Sequence, residues 1–162
     1  MGIETILELA VFAVLMGLSA FFSSSETALF SLSRLQLERM RKNGHPRVLL
    51  IERLLNKPRH LIVTILIGNE LVNVAASVIS AAVVIQLLGA DNKWINLLIM
   101  VPLLLLFGEI TPKTLAIRNN IAFASFQCRF IELFARVITP LRWIVRHVSD
   151  FFITLIVGGE RS

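Results

Sequence analysis

The sequence predicts an all-α membrane protein with three transmembrane helices, two short cytoplasmic helices after the first span, and a C-terminal amphipathic juxtamembrane helix. Of the 162 residues, 56% are hydrophobic and the mean hydropathy is +0.76, whereas a soluble domain contains roughly 45–50% apolar residues. Three apolar stretches are each long enough to cross a bilayer. The basic residues lie in blocks outside these stretches, a pattern typical of cytoplasmic loops rather than of nucleic-acid binding.

The predicted spans are Ile3 to Phe22, Leu61 to Leu88 and Trp94 to Ile117. No positive charge precedes the first apolar run, so the sequence does not indicate a signal peptide. Between the first two spans, residues 34–59 are polar and are interrupted by Gly and Pro. We therefore expect two short surface helices joined by a turn in this section.

The chain after the third span is expected to lie in the membrane interface. Charged residues recur at helical spacing among apolar ones from Asn120 to Val148, with Pro140 as the expected bend. Five charges within eighteen residues, from Arg129 to Arg146, disfavour a fourth span. The expected regions are a three-span part (residues 1–119), a juxtamembrane helix (120–157) and a linker to cytosolic modules (158–162).

The distribution of Lys and Arg predicts the orientation of the chain. Eight lie between the first two spans and seven from Lys113 onward, whereas one lies between the second and third spans and none precedes the first. Because cytoplasmic segments carry the excess of basic residues, we expect the N-terminus outside and the C-terminus in the cytoplasm. The membrane is expected to be the plasma or inner membrane.

The stretch from Phe107 to Lys113 closes the third span and places Glu109 at membrane depth, where a carboxylate is costly and usually has a partner or a function. Pro112 has no N–H for the carbonyl four residues earlier, which belongs to Gly108. A freed carbonyl oxygen beside a carboxylate offers two ligands to a hard cation. The alternative is a proline kink near a helix end, with Glu109 paired to Lys113 at i+4.

Three polar clusters fall at one predicted depth. Ser25, Asn69 and Glu109 each lie nine or ten residues from a basic residue that marks the cytoplasmic side, which is roughly 14–15 Å along a helix. The polar face that contains Asn69 and Asn73 is either hydrogen-bonding glue between helices or the lining of an ion path. Packing alone does not need two carboxylates, Glu26 and Glu109, and a broken backbone at one level. We therefore favour an ion site.

The candidate ligands at this depth are hydroxyl, amide, carboxylate and carbonyl oxygens, without Cys or His. Zinc and copper are therefore disfavoured. An all-oxygen set suits Mg²⁺, Ca²⁺, Mn²⁺ or Na⁺, and the composition does not choose among them. An intramembrane enzyme is disfavoured because the serines have no His or Lys base at their level.

Three segments resemble the signature segments of the CorC/cyclin M transmembrane domain. They are residues 22–29 (FSSSETAL), 67–73 (IGNELVN) and 107–113 (FGEITPK). They occur in the family's order on three helices, and the resemblance covers nearly the whole chain. It implies a Mg²⁺ transporter or exporter, driven by a Na⁺ gradient in the family's usual description, that acts as a homodimer.

The resemblance also implies the metal ligands, which are Ser23, Ser24, Ser25, Asn69, Gly108 and Glu109. We expect secondary ion or gating positions at Glu26, Asn73, Glu70 and Pro112. Ser24 departs from the family pattern, since many members have Gly at this position. Glu70 carries little weight as a site residue, because its position varies in the family.

The resemblance implies Mg²⁺ transport across the membrane, with export as the expected direction and Na⁺ as the expected coupling ion. The residues themselves leave a channel and a coupled carrier both open. Members of the family continue into paired nucleotide-binding regulatory modules, so we expect this chain to be the transmembrane part alone. The alternative function is a membrane anchor or sensor, in which a structural cation site serves those cytosolic modules.

Overall fold

The structure is a computed structural model that describes residues 2–89, 91 and 93–158. Its helices, in chain order, are α1 (Ile3–Phe30), α2 (Arg34–Lys42), α3 (Val48–Leu55), α4 (Pro58–Leu88), α5 (Lys93–Leu103), α6 (Thr111–Arg118), α7 (Asn120–Val137) and α8 (Thr139–Val157). A π-helical segment, Leu104–Ile110, joins α5 to α6. The described ranges contain no strand, and the predicted all-α class is confirmed. Most of the expected linker, residues 159–162, lies outside them.

Three helical runs in the described part of the chain are long and apolar enough to cross a membrane. They are Ile3–Phe30, Pro58–Leu88 and Trp94–Arg118. Each contains one predicted span, so the prediction of a three-span membrane protein is confirmed. The first span is longer than expected because the serine-rich segment continues α1 as a helix instead of ending it.

Helices α1 and α4 are joined by polar contacts at two levels. Near the N-terminus of α1, the Thr5 hydroxyl donates to Gln86 Oε1 over 2.8 Å, and Gln86 Nε2 donates to Glu8 Oε1 over 3.1 Å. Further along, the Ser19 hydroxyl donates to Asn73 Oδ1 over 2.8 Å. Hydrogen bonds of this kind hold spans together where the hydrophobic effect is absent.

The two short helices predicted after the first span are present. Ser33 begins α2 with a capping box, in which its hydroxyl accepts from the Gln36 N–H at 3.1 Å and the Gln36 side chain accepts from the Ser33 N–H at 3.0 Å. Gly44, at φ +65°, then reverses the chain between α2 and α3, a conformation that other residues rarely adopt.

The juxtamembrane region is two helices rather than the single bent helix that the sequence predicted. The break falls at Ile138, two residues before the expected bend, because Pro140 occupies the first turn of α8, where its missing N–H is not needed. Helix α7 packs on α1 through aromatic pairs, with ring centroids of Phe22 and Phe134 5.0 Å apart and those of Phe21 and Phe130 6.0 Å apart. None of the residues of α8 is buried.

The close packing of α1, α4 and α7 around Gly68 generates a stability prediction. A Cβ atom at this position would overlap the Phe22 ring and lie 2.9 Å from Phe134 Cε1. We expect Gly68→Ala to destabilise the protein by about 1–3 kcal/mol, seen as a lower thermal unfolding temperature in detergent. Gly17→Ala is the matched control, since nothing lies within 4 Å of a Cβ there. Equal unfolding temperatures for both variants would contradict this packing.

Cys128 generates a second prediction. Its side chain is fully buried in α7, and burial raises the pKa of the thiol, so little thiolate forms at neutral pH. We expect a maleimide to leave the folded protein unlabelled and to modify it once denaturant is added. Ser149→Cys, at an exposed position of α8, is the positive control. Rapid labelling of the native wild type would show that α7 is not packed as described.

Candidate cation site

The Glu109 carboxylate is the point where the three spans meet. Its Oε1 accepts a hydrogen bond from Asn69 Nδ2 of α4 at 3.1 Å. Its Oε2 accepts one from the Ser23 hydroxyl of α1 at 3.5 Å and lies 3.3 Å from Lys113 Nζ of α6. The structure therefore brings together one predicted ligand from each of the three polar clusters.

Lys113 contacts two carboxylates. Its Nζ lies 3.7 Å from Glu26 Oε2 as well as 3.3 Å from Glu109 Oε2. The three side chains are 29–39% exposed, so solvent and lipid reach them only in part. Sequence reasoning paired Lys113 with Glu109 at i+4 and missed the pairing with Glu26, because that contact depends on how α1 packs against α6.

The oxygen atoms of this cluster fit a hard cation. Asn69 is buried, and its Oδ1 accepts no hydrogen bond from the described residues. Such an orphaned oxygen is costly unless it has a partner. The nitrogen of the same amide donates to the Glu109 carboxylate, which also accepts from the Ser23 hydroxyl. Amide, hydroxyl and carboxylate oxygens are the ligand types that Mg²⁺ and Ca²⁺ take.

Gly108 lies where α1 packs closely against the π-helical segment. It is buried, and a Cβ there would lie 2.9 Å from Ser19 Oγ. The Thr111 N–H donates to the Leu106 carbonyl, five residues earlier. Pro112 follows directly and is buried in the first turn of α6. Where the sequence predicted a broken backbone, the structure has a continuous helical run with a π-helical segment, and the Gly108 carbonyl stays a predicted ligand.

Two of the predicted serine ligands are engaged elsewhere. The hydroxyls of Ser24 and Ser25 donate to the Phe21 carbonyl at 3.1 and 2.6 Å, the back-bonding that serine commonly makes inside a helix. Ser24 Oγ also accepts from Gln127 Nε2 at 2.8 Å. Ser23 is thus the serine that faces Glu109.

The secondary positions separate into three groups. Glu26 and Pro112 lie at the cluster, Glu26 through Lys113 and Pro112 directly after the π-helical segment. Asn73 bonds to Ser19 instead of to a ligand residue. Glu70 is exposed on α4 and makes no hydrogen bond or ion pair with the described residues.

Two polar residues beside the site were not predicted. Ser19 lies four residues before Ser23, so helical spacing places both on one face of α1 and could have indicated it. Gln127 belongs to a helix that was expected at the membrane surface, yet it is buried against Ser24. In the sequence, the burial of Gln127 was indicated only by its uncharged side chain among the apolar residues of α7.

Comparison with known proteins identifies the family of this chain. The family model for the cyclin M transmembrane N-terminal domain matches residues 10–162. The UPF0053 inner membrane protein YfjD of Escherichia coli is 34% identical over 135 residues, which are 82% of this chain and 31% of that protein. A UPF0053 protein of Haemophilus influenzae is 34% identical over 128 residues, 79% of this chain and 30% of that protein.

A chloroplastic DUF21 domain-containing protein of Arabidopsis thaliana is 31% identical over 143 residues, which are 86% of this chain and 21% of that protein. The chain spans less than a third of the length of these three relatives. The match extends over almost all of its residues and includes the three segments that meet at Glu109. The chain therefore belongs to the cyclin M transmembrane domain family.

Proposed function

We propose that this domain transports Mg²⁺ across the membrane through the cluster around Glu109. The observation that carries the proposal is the convergence of Ser23, Asn69 and Glu109 from three spans, with a buried amide oxygen of Asn69 left unpaired. The family resemblance selects Mg²⁺ among the hard cations that such oxygens suit. From the same source we propose outward transport, with Na⁺ as the coupling ion.

The charge balance of the cluster supports a divalent cargo. Glu26 and Glu109 carry two negative charges, and Lys113 is within 4 Å of both. A Mg²⁺ ion at Glu109 repels the Lys113 ammonium, and the two carboxylates then offset the charge of the ion in a low-dielectric setting. After release, Lys113 pairs with the carboxylates again. The Lys113 ammonium thus lowers the free-energy cost of holding two carboxylates together when no Mg²⁺ is bound.

The third span is the element that we propose to move. It carries Pro102 within α5, the π-helical segment and Pro112 at the start of α6, features that mark helix bends. Helices α1 and α4 are held to each other by hydrogen bonds at two levels. Mg²⁺ reaches Ser23, Asn69 and Glu109 from the cytoplasm, exchanges water for their oxygens, and leaves outward when the third span shifts.

Other parts of the proposal depend on the resemblance and on charge counting. We propose a homodimer in the plasma or inner membrane, with the N-terminus outside and the C-terminus in the cytoplasm. Cytosolic nucleotide-binding modules would regulate transport. The alternative is a membrane anchor or sensor with a structural cation site, and only ion flux separates it from a transporter.

The first test is Mg²⁺ binding by calorimetry to wild type and Glu109→Gln. The substitution keeps the shape of the side chain and removes the ligand charge, so we expect affinity to fall by at least about tenfold, or about 1.4 kcal/mol. Glu38→Gln is the matched control, since Glu38 is exposed on α2 and its side chain makes no hydrogen bond or ion pair with described residues. Equal affinities in all three proteins would place the divalent site elsewhere.

The second test is Mg²⁺ flux in proteoliposomes. We expect wild type to move Mg²⁺ and Glu109→Gln to lose most of the flux, because no other described carboxylate contacts both Ser23 and Asn69. Replacing Na⁺ by choline tests the coupling. Saturable binding without flux would support the anchor or sensor. Mg²⁺ flux that is unchanged when choline replaces Na⁺ would contradict the proposed Na⁺ coupling.

The third test addresses Lys113. We expect Lys113→Gln to bind Mg²⁺ about threefold to tenfold more tightly, because partly exposed ion pairs that compete with the metal are worth up to about 1 kcal/mol each. Flux should fall, since release becomes harder. Arg118→Gln removes the same charge from an exposed position of the same helix and should change neither property. An unchanged Mg²⁺ affinity in Lys113→Gln would mean that the ammonium does not compete with Mg²⁺ for the carboxylates.

A further inference from the structure

A basic cleft separates the start of α4 from α8. Its larger chamber has a volume of about 550 Å³ and is lined by Lys57, Arg59, Arg142, Trp143 and Arg146, among others. A second chamber of about 190 Å³ adjoins it. The total lies in the range of small-molecule sites, roughly 300–1,000 Å³. Ion-site residues do not line either chamber.

The cations of this cleft are largely uncompensated. Arg59 pairs with Asp150 over 2.9 Å, and this hydrogen bond, together with the nearby charge of Arg146, lowers the pKa of Asp150. One carboxylate therefore faces the charges of both Arg59 and Arg146. Lys57 and Arg146 are exposed and make no side-chain hydrogen bond or ion pair with described residues. In the smaller chamber Glu132 is already engaged by Arg53 and Arg136.

Arg142 is held at the junction of the two chambers by neutral acceptors. Its Nη1 donates to Thr64 Oγ1 at 3.2 Å and to the Ala135 carbonyl at 3.1 Å, and its Nη2 donates to Thr139 Oγ1 at 3.4 Å. None of these partners, within the described ranges, is a carboxylate. Burial lowers the pKa of Arg142, as expected of a partly desolvated cation without an anion. Its guanidinium is fixed in place with its charge unmatched.

The position of the cleft indicates which kind of molecule supplies an anion to its basic side chains. Span α4 begins at Pro58, so its first turn lies at the level of the lipid headgroups, and its N–H groups add positive potential. Helix α8 exposes apolar side chains next to the cleft, including Trp143 at 61% and Phe151 at 64%. An aromatic and apolar face beside basic residues is typical of a helix that lies in the membrane interface.

We propose that this cleft binds the phosphate headgroup of an anionic phospholipid, with Lys57, Arg142 and Arg146 as the main contacts. Acyl chains of the lipid extend along the apolar face of α8, beside Trp143. The bound headgroup joins α8 to α4, which matters because no residue of α8 is buried. This site is separate from the proposed transport site and does not depend on it. Basic pockets between membrane helices commonly hold such headgroups.

The test compares lipid retention by native mass spectrometry of the full chain in detergent micelles. The micelles contain either dioleoyl phosphatidylglycerol or dioleoyl phosphatidylcholine. We expect wild type to retain phosphatidylglycerol. The double variant Lys57→Gln/Arg146→Gln should retain it up to about 25-fold less, since each basic residue contributes roughly fivefold. Neither side chain makes a hydrogen bond or ion pair with described residues, so folding should be unaffected.

Arg118→Gln/Arg129→Gln is the matched control, because both residues are exposed and lie outside the cleft. It should retain phosphatidylglycerol like wild type. Arg142→Gln should also reduce retention, with folding checked by Cys128 protection. Equal loss in the control and the cleft variant, or equal retention of the two lipids by wild type, would overturn the proposal. Displacement of the lipid by glycerol 3-phosphate at similar concentration would overturn it too, since it would assign the cleft to a soluble phosphate.

Discussion

One charged group at membrane depth, the Glu109 carboxylate, determines how the three spans are arranged. An ionised carboxylate away from water needs hydrogen bonds and an opposite charge, because its desolvation is otherwise too costly. No single helix can supply them. Asn69 comes from α4, Ser23 from α1 and Lys113 from α6. Satisfying this one group therefore brings all three spans together, and the same contacts assemble an oxygen-rich cluster.

The polar face of α4 serves packing and the site at once. Asn69 contacts Glu109, whereas Asn73 bonds to Ser19 of α1 and Ser80 bonds to Asn96 of α5 over 2.7 Å. Hydrogen bonding between helices thus accounts for Asn73 and Ser80, whereas Asn69 faces the candidate cation site. Interhelical hydrogen bonds on either side of a ligand residue fix its direction, which a binding site requires.

Much of this architecture follows from the sequence alone. The spans follow from apolar length, and the meeting of Ser23, Asn69 and Glu109 follows from equal distances to basic residues, since rise per residue converts sequence separation into depth. The depth of a residue in the membrane does not specify how its helix is rotated about its own axis. For that reason the sequence did not distinguish Ser23 from Ser24 and Ser25, nor show that Lys113 reaches Glu26. The burial of Gln127 depends on how α7 packs on α1, which local pattern does not encode.

The π-helical segment has a further consequence. A π-turn holds more residues than an α-turn, so Leu104–Ile110 acts like an insertion in an otherwise α-helical span. Each residue of an α-helix advances the side-chain direction by about 100°. Glu109 therefore faces Ser23 and Asn69 only because the chain before it has this particular number of residues. An insertion or deletion of one residue between Pro102 and Gly108 would turn the carboxylate by about 100°, away from Ser23 and Asn69. The length of this segment therefore positions the carboxylate as much as the identity of its residues does.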